Sequence, residues 1–223
     1  SEVAIHATAL ALALTRQLKH FDKAVGRGVW NQDLGTKMRR PSAQTVGLVG
    51  FGNISKQIAR NFQGLGYNVM AYDPYVPADV FTDSGVKQAD LDELYEGADI
   101  ISLHLPETKE TAGMINAETI GKMKDSVILI NAARGGLINT ADLIEALKNG
   151  KIGGAGLDTL EGEPMKDTSN PLLEMNNVIL TPHIAYSSAE ANQELFASVA
   201  QTAVDVLNGK NPANILNKKA LNL

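Results

Sequence analysis

The chain contains no cysteine among its 223 residues. That absence removes disulfides, thiolate metal ligands and cysteine nucleophiles together. Histidine is scarce too: His6, His20, His104 and His183 are the four present, none paired at metal-ligand spacing, so no metal site is expected. There is no basic surplus. Twenty Lys+Arg against twenty-five Asp+Glu leave a formal charge of −5, which argues against a nucleic-acid or anionic-membrane partner because phosphates would go unneutralised. No apolar run is long enough to span a bilayer. The richest, Ala7 to Leu14, ends at Arg16, well short of the roughly 20 residues required. The opening Ser1-Glu2-Val3-Ala4-Ile5-His6 lacks the basic start of a signal peptide. It also lacks a methionine and lies directly inside a helix-like pattern, as in a processed or shortened chain.

What remains is ordinary globular composition, with 44% hydrophobic and 20% charged residues, far from the disordered class. The length is about one and a half times a typical domain of roughly 150 residues. The expectation is a cytoplasmic protein with one large domain, or one domain plus a fragment.

The pattern along the chain is alternation. From Ala4 to about Val25 the sequence is Ala- and Leu-rich, free of Gly and Pro. It predicts one helix, apolar almost all round as far as Arg16. Such a helix is covered on several sides, either by its own domain or by a second subunit. A polar connection, Gly26 to Gln44, carries Trp30 and the basic cluster Lys37, Arg39 and Arg40. Six buried-strand patterns follow, at Thr45–Phe51, Asn68–Tyr72, Asp99–Leu105, Ser126–Ile130, Gly154–Leu157 and Val178–Leu180. Amphipathic stretches separate several of them: Ser55–Leu65, Leu91–Tyr95, Ala117–Met123 and Ala141–Lys148. Gly66, Gly97 and Gly150 stand where a left-handed glycine ends a helix. Continuous apolar strands alternating with helices indicate an α/β fold, a doubly wound parallel sheet of the Rossmann type. A last long helix, about Ala189 to Leu207, leads into a polar tail. The predicted organisation is a crossover helix (1–25), a dinucleotide-binding domain (26–188), and a return helix and tail (189–223).

The first strand runs into Gly50-Phe51-Gly52-Asn53-Ile54-Ser55. In a strand–turn–helix of this kind, Gly50 permits the tight turn and Gly52 lets a pyrophosphate approach the backbone. The helix starting near Asn53 aims its free N–H groups and positive end at the anion. Ser55 stands where the third glycine of the fingerprint belongs, a position that governs helix–strand packing, and a small residue is tolerated there. The next strand ends at Asp73, 23 residues after Gly50, where an acid accepts hydrogen bonds from the adenosine ribose. No Arg or Lys follows in Pro74-Tyr75-Val76, which favours NAD over NADP.

Ligands in open α/β sheets bind beyond the carboxyl ends of the strands, and three consecutive strand ends carry charge. Ser126–Ile130 leads into Asn131-Ala132-Ala133-Arg134-Gly135-Gly136, delivering a guanidinium suited to a carboxylate. Gly154–Leu157 ends at Asp158 and continues to Glu163-Pro164. Val178–Leu180 ends in Thr181-Pro182-His183. Histidine can exchange the proton that accompanies hydride transfer, and a neighbouring carboxylate would orient it. Glu163 and Asp158 are both candidates for that role. His104, in Leu103-His104-Leu105-Pro106, reads as cofactor-lining or structural.

These motifs, taken with Tyr72-Asp73-Pro74-Tyr75, Thr111-x-Gly113 and Gly156-Leu-Asp158, occur in an order and at spacings that resemble the D-isomer-specific 2-hydroxyacid dehydrogenases. The resemblance runs from about Val3 to Pro212. It implies that Arg134 binds the substrate carboxylate and that His183 is the general acid/base with Glu163 as its partner. Gly50, Gly52, Asn53 and Ile54 would meet the pyrophosphate and Asp73 the ribose. Pro106, Thr111, Ala132, Ala133 and Asp158 would line the rest of the NAD path, Asp158 near the carboxamide. It further implies a small 2-oxo or 2-hydroxy acid substrate and a homodimer joined through the cofactor domain. Asp158-Thr159 and Tyr186 look more like the D-lactate and D-2-hydroxyisocaproate branch than the phosphoglycerate branch.

One departure is larger than Ser55. Enzymes of this family carry a leading segment that helps close over the substrate, and the chain starts at what resembles the crossover helix. With the cleft open to water, the expectation is a chain that binds NAD and turns over slowly or not at all. The same fold and the same Arg/Glu/His set also serve NAD-sensing corepressors of the C-terminal-binding-protein type, so an NAD-sensing scaffold is the alternative, alongside a stable fragment with no activity.

Overall fold

The computed structural model describes residues 1–34, 38–212 and 215; Lys37 of the basic cluster and most of the tail lie outside them. Two compact units emerge, Val3–Ala185 together with Ser1, and Tyr186–Leu223 together with Glu2.

The first unit is built on seven parallel strands: β1 (Thr45–Val49), β2 (Asn68–Tyr72), β3 (Lys87–Gln88), β4 (Ile100–Leu103), β5 (Val127–Asn131), β6 (Ile152–Leu157) and β7 (Val178–Leu180). They lie in the order β3-β2-β1-β4-β5-β6-β7, so the sheet winds outward both ways from β1. The helices are α1 (Glu2–Thr15), α2 (Leu18–Gly26), α3 (Asn53–Gly64), α4 (Ala78–Asp83), α5 (Leu91–Gly97), α6 (Ala117–Lys122) and α7 (Thr140–Lys148). The strands are apolar on both faces because both faces are covered. Val46, Leu48, Ile100 and Ile130 pack in one cluster with residues of α1, α3 and α4. Val49, Ile101, Leu103 and Leu129 pack in the other with residues of α5, α6 and α7. Neighbouring strand residues take opposite sides, as the two-residue repeat of a strand requires.

Three sequence expectations are corrected. The single helix over Ala4–Val25 is two helices, because Gln17 adopts a left-handed conformation (φ 54°) that breaks the hydrogen-bond ladder. Gly97 does not end its helix in the left-handed region as Gly66 (φ +83°) and Gly150 (φ +79°) do; it is the last residue of α5, and its missing Cβ leaves room for the Met70 methyl group. The two-residue β3 and the one-and-a-half-turn α4 were not anticipated, since neither is long enough to show a period. Helix α1 packs on its own domain: Ala4, Ala7, Leu10, Ala11 and Leu14 are buried in the core.

The second unit contains α8 (Ala189–Leu207), N-capped by Ser188, whose Oγ accepts the Ala191 N–H at 2.9 Å. None of its residues is buried. Among the described residues, no helix is long and apolar enough to cross a membrane.

Candidate active site

At the carboxyl end of β1 the chain must turn in a confined space. The Gly50 N–H donates to the Tyr72 carbonyl (2.8 Å) at the end of β2, and the His104 N–H donates to the Val49 carbonyl (2.8 Å) from beyond β4. Gly50 is at φ +91°, and a Cβ there would lie 2.5 Å from the His104 carbonyl oxygen. This is the sheet's switch point, where chain leaving β1 diverges from both neighbours and a crevice opens. Gly52, by contrast, faces open space. It starts α3 with no side-chain cap, whereas α5, α6 and α7 are capped by Asp90, Asn116 and Asn139. The first N–H groups of α3 therefore point outward without an internal partner, beside exposed Asn53 and Ile54.

Asp73 does more than end β2. One carboxylate oxygen accepts the Phe51 N–H (2.8 Å) and the other the Tyr75 N–H (2.9 Å), tying the second strand's end to the glycine turn. Ser55 is buried, and its hydroxyl has no hydrogen-bond partner. The serine is accommodated by packing alone. His104 donates to or accepts from Ser102 Oγ at 2.7 Å. Burial pushes its imidazole down to about 3, so it is neutral at pH 7. The uncapped helix end beside an open glycine offers donors that fit a dinucleotide's pyrophosphate, and the acid at the next strand end offers an acceptor for its ribose hydroxyls.

Beyond β5, buried Asn131 shapes the arginine loop: its Oδ1 accepts the Ala133 N–H (3.1 Å) and its Nδ2 donates to the Arg134 carbonyl (2.8 Å). The Arg134 side chain is exposed, with Nη1 donating to the Ala133 carbonyl at 2.6 Å. Gly135 is needed here, while a side chain at Gly136 would displace only the flexible end of exposed Glu107. A Cβ on the first would overlap the Leu160 backbone and one on the second the Glu107 carboxylate, so this loop interlocks with those after β4 and β6. Thr111 Oγ1 donates to the Pro106 carbonyl (2.8 Å) and accepts the Thr108 N–H (2.8 Å), folding the loop after β4 upon itself.

The last two strand ends divide the two acids. His183 Nδ1 lies 2.7 Å from Glu163 Oε1, both side chains substantially exposed. Asp158 is buried and faces the other way. Its Oδ1 accepts Thr181 Oγ1 (2.6 Å) and the Ile184 N–H (2.9 Å), its Oδ2 accepts the Ala185 N–H (2.9 Å), and its carbonyl accepts the His183 N–H (2.8 Å). Asp158 is thus not the imidazole's partner; it builds the turn in which His183 sits at φ 53°. His6 joins this cluster from α1, its Nε2 lying 2.9 Å from Thr181 Oγ1. Neither His6 nor Thr181 stood out in the sequence, where each is one polar residue beside apolar ones. No hydrogen bond or ion pair joins Arg134 to Glu163 or His183 among the described residues; the strands that precede them, β5, β6 and β7, are neighbours in the sheet. Those residues also hold no cluster of metal-ligating side chains.

The family described as D-isomer specific 2-hydroxyacid dehydrogenase, NAD binding domain, matches residues 8–185. The chain is 40% identical over 214 residues to a D-3-phosphoglycerate dehydrogenase of Archaeoglobus fulgidus, covering 95% of this chain and 40% of that protein. It is 41% identical over 194 residues to a hydroxypyruvate reductase of Thermotoga maritima, covering 86% of this chain and 62% of that protein. Among solved structures, the D-lactate dehydrogenase with NAD+ from Lactobacillus jensenii superposes with a TM-score of 0.87 at 32% identity, covering 97% of this chain and 68% of that one. The D-lactate dehydrogenase from Aquifex aeolicus complexed with NAD and lactic acid gives 0.86 at 34%, covering 94% and 67%.

The chain belongs to the D-isomer-specific 2-hydroxyacid dehydrogenase family, of which it carries the NAD-binding domain. It spans about 40% of the length of the phosphoglycerate dehydrogenases it matches. Relatives named for phosphoglycerate and neighbours named for D-lactate stand side by side.

Proposed function

We propose that this chain is the cofactor-binding part of an NAD-dependent oxidoreductase that interconverts 2-oxo acids and D-2-hydroxy acids. In this reading residues 26–188 form the dinucleotide-binding domain, 1–25 the crossover segment, and 189–223 the return helix and tail. The observation that carries it is the His183–Glu163 pair, 2.7 Å apart, at a sheet edge next to the arginine loop. Bound NAD supplies or takes the hydride.

The chain's own residues do the rest. With Glu163 accepting from Nδ1–H, the His183 proton that can be given away sits on Nε2, the ring's free nitrogen. In reduction that proton goes to the carbonyl oxygen as it becomes a hydroxyl; in oxidation His183 takes it back. Glu163 fixes the ring's orientation and tautomer. Arg134, exposed on its interlocked loop, presents a fork of donors that matches a carboxylate. Asn53 and Ile54 N–H groups meet the pyrophosphate and Asp73 the ribose, while Pro106, Thr111, Ala132 and Ala133 line the path between. Asp158 contributes through the His183 turn. As for the family, a second copy of the chain is the expected partner, and sedimentation at micromolar concentration tests for a dimer.

The deciding experiment is NADH binding by calorimetry, then NADH oxidation with a panel of 2-oxo acids, each with His183→Ala alongside. The expected result is binding in both proteins and turnover reduced by roughly 10²–10⁴-fold in the variant. Binding without turnover on any acid by the full-length protein, with the segment that closes over the substrate, would instead favour the NAD-sensing scaffold.

A further inference from the structure

Helix α1 carries His6, Leu10 and Leu14 four residues apart, on one face. Strand β6 and the residue after it carry Gly154, Gly156 and Asp158 two apart, also on one face. Four helical residues rise about 6.0 Å and two strand residues about 6.6 Å, so a helix laid antiparallel along the strand stays in step with it. The contacts follow that ladder. A Cβ on Gly154 would lie 3.3 Å from Leu14, and one on Gly156 would lie 2.9 Å from the Leu10 Cβ. The next rung brings His6 Nε2 to 3.6 Å from Asp158 Oδ1, with Thr181 Oγ1 between them at 2.9 and 2.6 Å.

The direction of these bonds is fixed by chemistry. A carboxylate only accepts, so Thr181 spends its single hydroxyl proton on Asp158, which is 2% exposed. Thr181 Oγ1 must then accept from His6, which places a proton on His6 Nε2. The chain His6 → Thr181 → Asp158 ends on the carboxylate that receives the Ile184 and Ala185 N–H groups, next to His183 and its left-handed backbone.

We propose that His6 is a positioning residue for His183: from α1, through Thr181, it locks the Asp158 carboxylate that holds the His183 turn. The proposal deepens the reading of His183 as the proton-exchanging group and rests on it. Without the His6 donor, the Thr181 hydroxyl keeps only its bond to Asp158 and holds the carboxylate less firmly, so Ile184 and Ala185 open more often.

Amide hydrogen exchange tests this without substrate or cofactor. In His6→Ala, exchange at Ile184 and Ala185 should speed up roughly tenfold, while Val46 and Leu48 in β1 keep their protection. His6→Gln, whose amide nitrogen donates from nearly the same place, should recover most of the loss, and Thr181→Val should reproduce it. In turnover assays His6→Ala should lower kcat and leave the KM for NADH unchanged. Unchanged exchange at Ile184 and Ala185 in His6→Ala overturns the proposal, and so does a loss that spreads equally to β1 or that His6→Gln fails to rescue. If the full-length parent protein reduces no 2-oxo acid, the redox reading fails, and the exchange rates still decide the network.

Discussion

Replacing Gly50 and Gly52 separately with alanine asks whether the turn after β1 is built for folding, for the cofactor, or for both. At Gly50 the new methyl would sit 2.5 Å from the His104 carbonyl oxygen, and that oxygen cannot retreat freely because the His104 N–H is bonded to Val49 and the Gly50 N–H to Tyr72. The φ of +91° adds a left-handed penalty of about 1–2 kcal/mol, and relieving the clash by moving backbone adds a comparable amount. The sum is about 3 kcal/mol, which for a domain of this size lowers Tm by roughly 6–12 °C. At Gly52 the φ is −78° and nothing lies within reach. Alanine there should cost about 0.5–1 kcal/mol as a poorer N-cap for α3. Its methyl instead fills the space through which a pyrophosphate approaches, and losing one or two hydrogen bonds to a charged ligand should raise the NADH dissociation constant at least about tenfold. Thermal unfolding and NADH calorimetry on both variants read the two effects apart. If Gly52→Ala melts close to the parent and also binds NADH like the parent, the assignment of this turn to the pyrophosphate is refuted.

Other outcomes follow from the same geometry. His104 is held near 3 by burial and titrates at its ordinary value of about 6.5 when unfolded. The unfolded chain therefore binds the extra proton first: stability from this group is complete above pH 6.5 and declines toward pH 3. Because the residue as a whole is only partly enclosed, the loss by pH 4 should be about 2 kcal/mol, and urea titrations of His104→Gln should lack that component. Asp158→Asn puts an NH2 against donors that now meet a carboxylate, at a cost of about 2–3 kcal/mol readable by calorimetric melting. Glu163→Gln should keep NADH affinity and lower kcat roughly 10- to 100-fold in the substrate panel. Asp73→Ser removes the acid proposed to meet the ribose and the anchor of Phe51, so the ratio of NADH to NADPH affinity should fall in direct binding measurements.

The sequence by itself determined what depends on neighbours along the chain. Buried parallel strands are short, largely apolar runs, so β1, β2, β4, β5, β6 and β7 were legible to within two residues, and with them the doubly wound sheet. The glycine turn and the acid 23 residues on were legible because close backbone approach and positive φ leave glycine few substitutes. The break at Gln17 and the short β3 and α4 were not, since a left-handed residue other than glycine or a two-residue strand carries no local signature. At the candidate site the sequence offered two acids for one imidazole, and only the tertiary structure allotted them, because the path after β6 turns Asp158 inward to the 184–185 amides and returns Glu163 to the ring. It likewise took the packing of α1 against β6 to give His6 a partner 175 residues away. Patterns of period and propensity reach about one helix or strand along the chain, whereas the pairing of side chains is settled by which elements share an edge or a face.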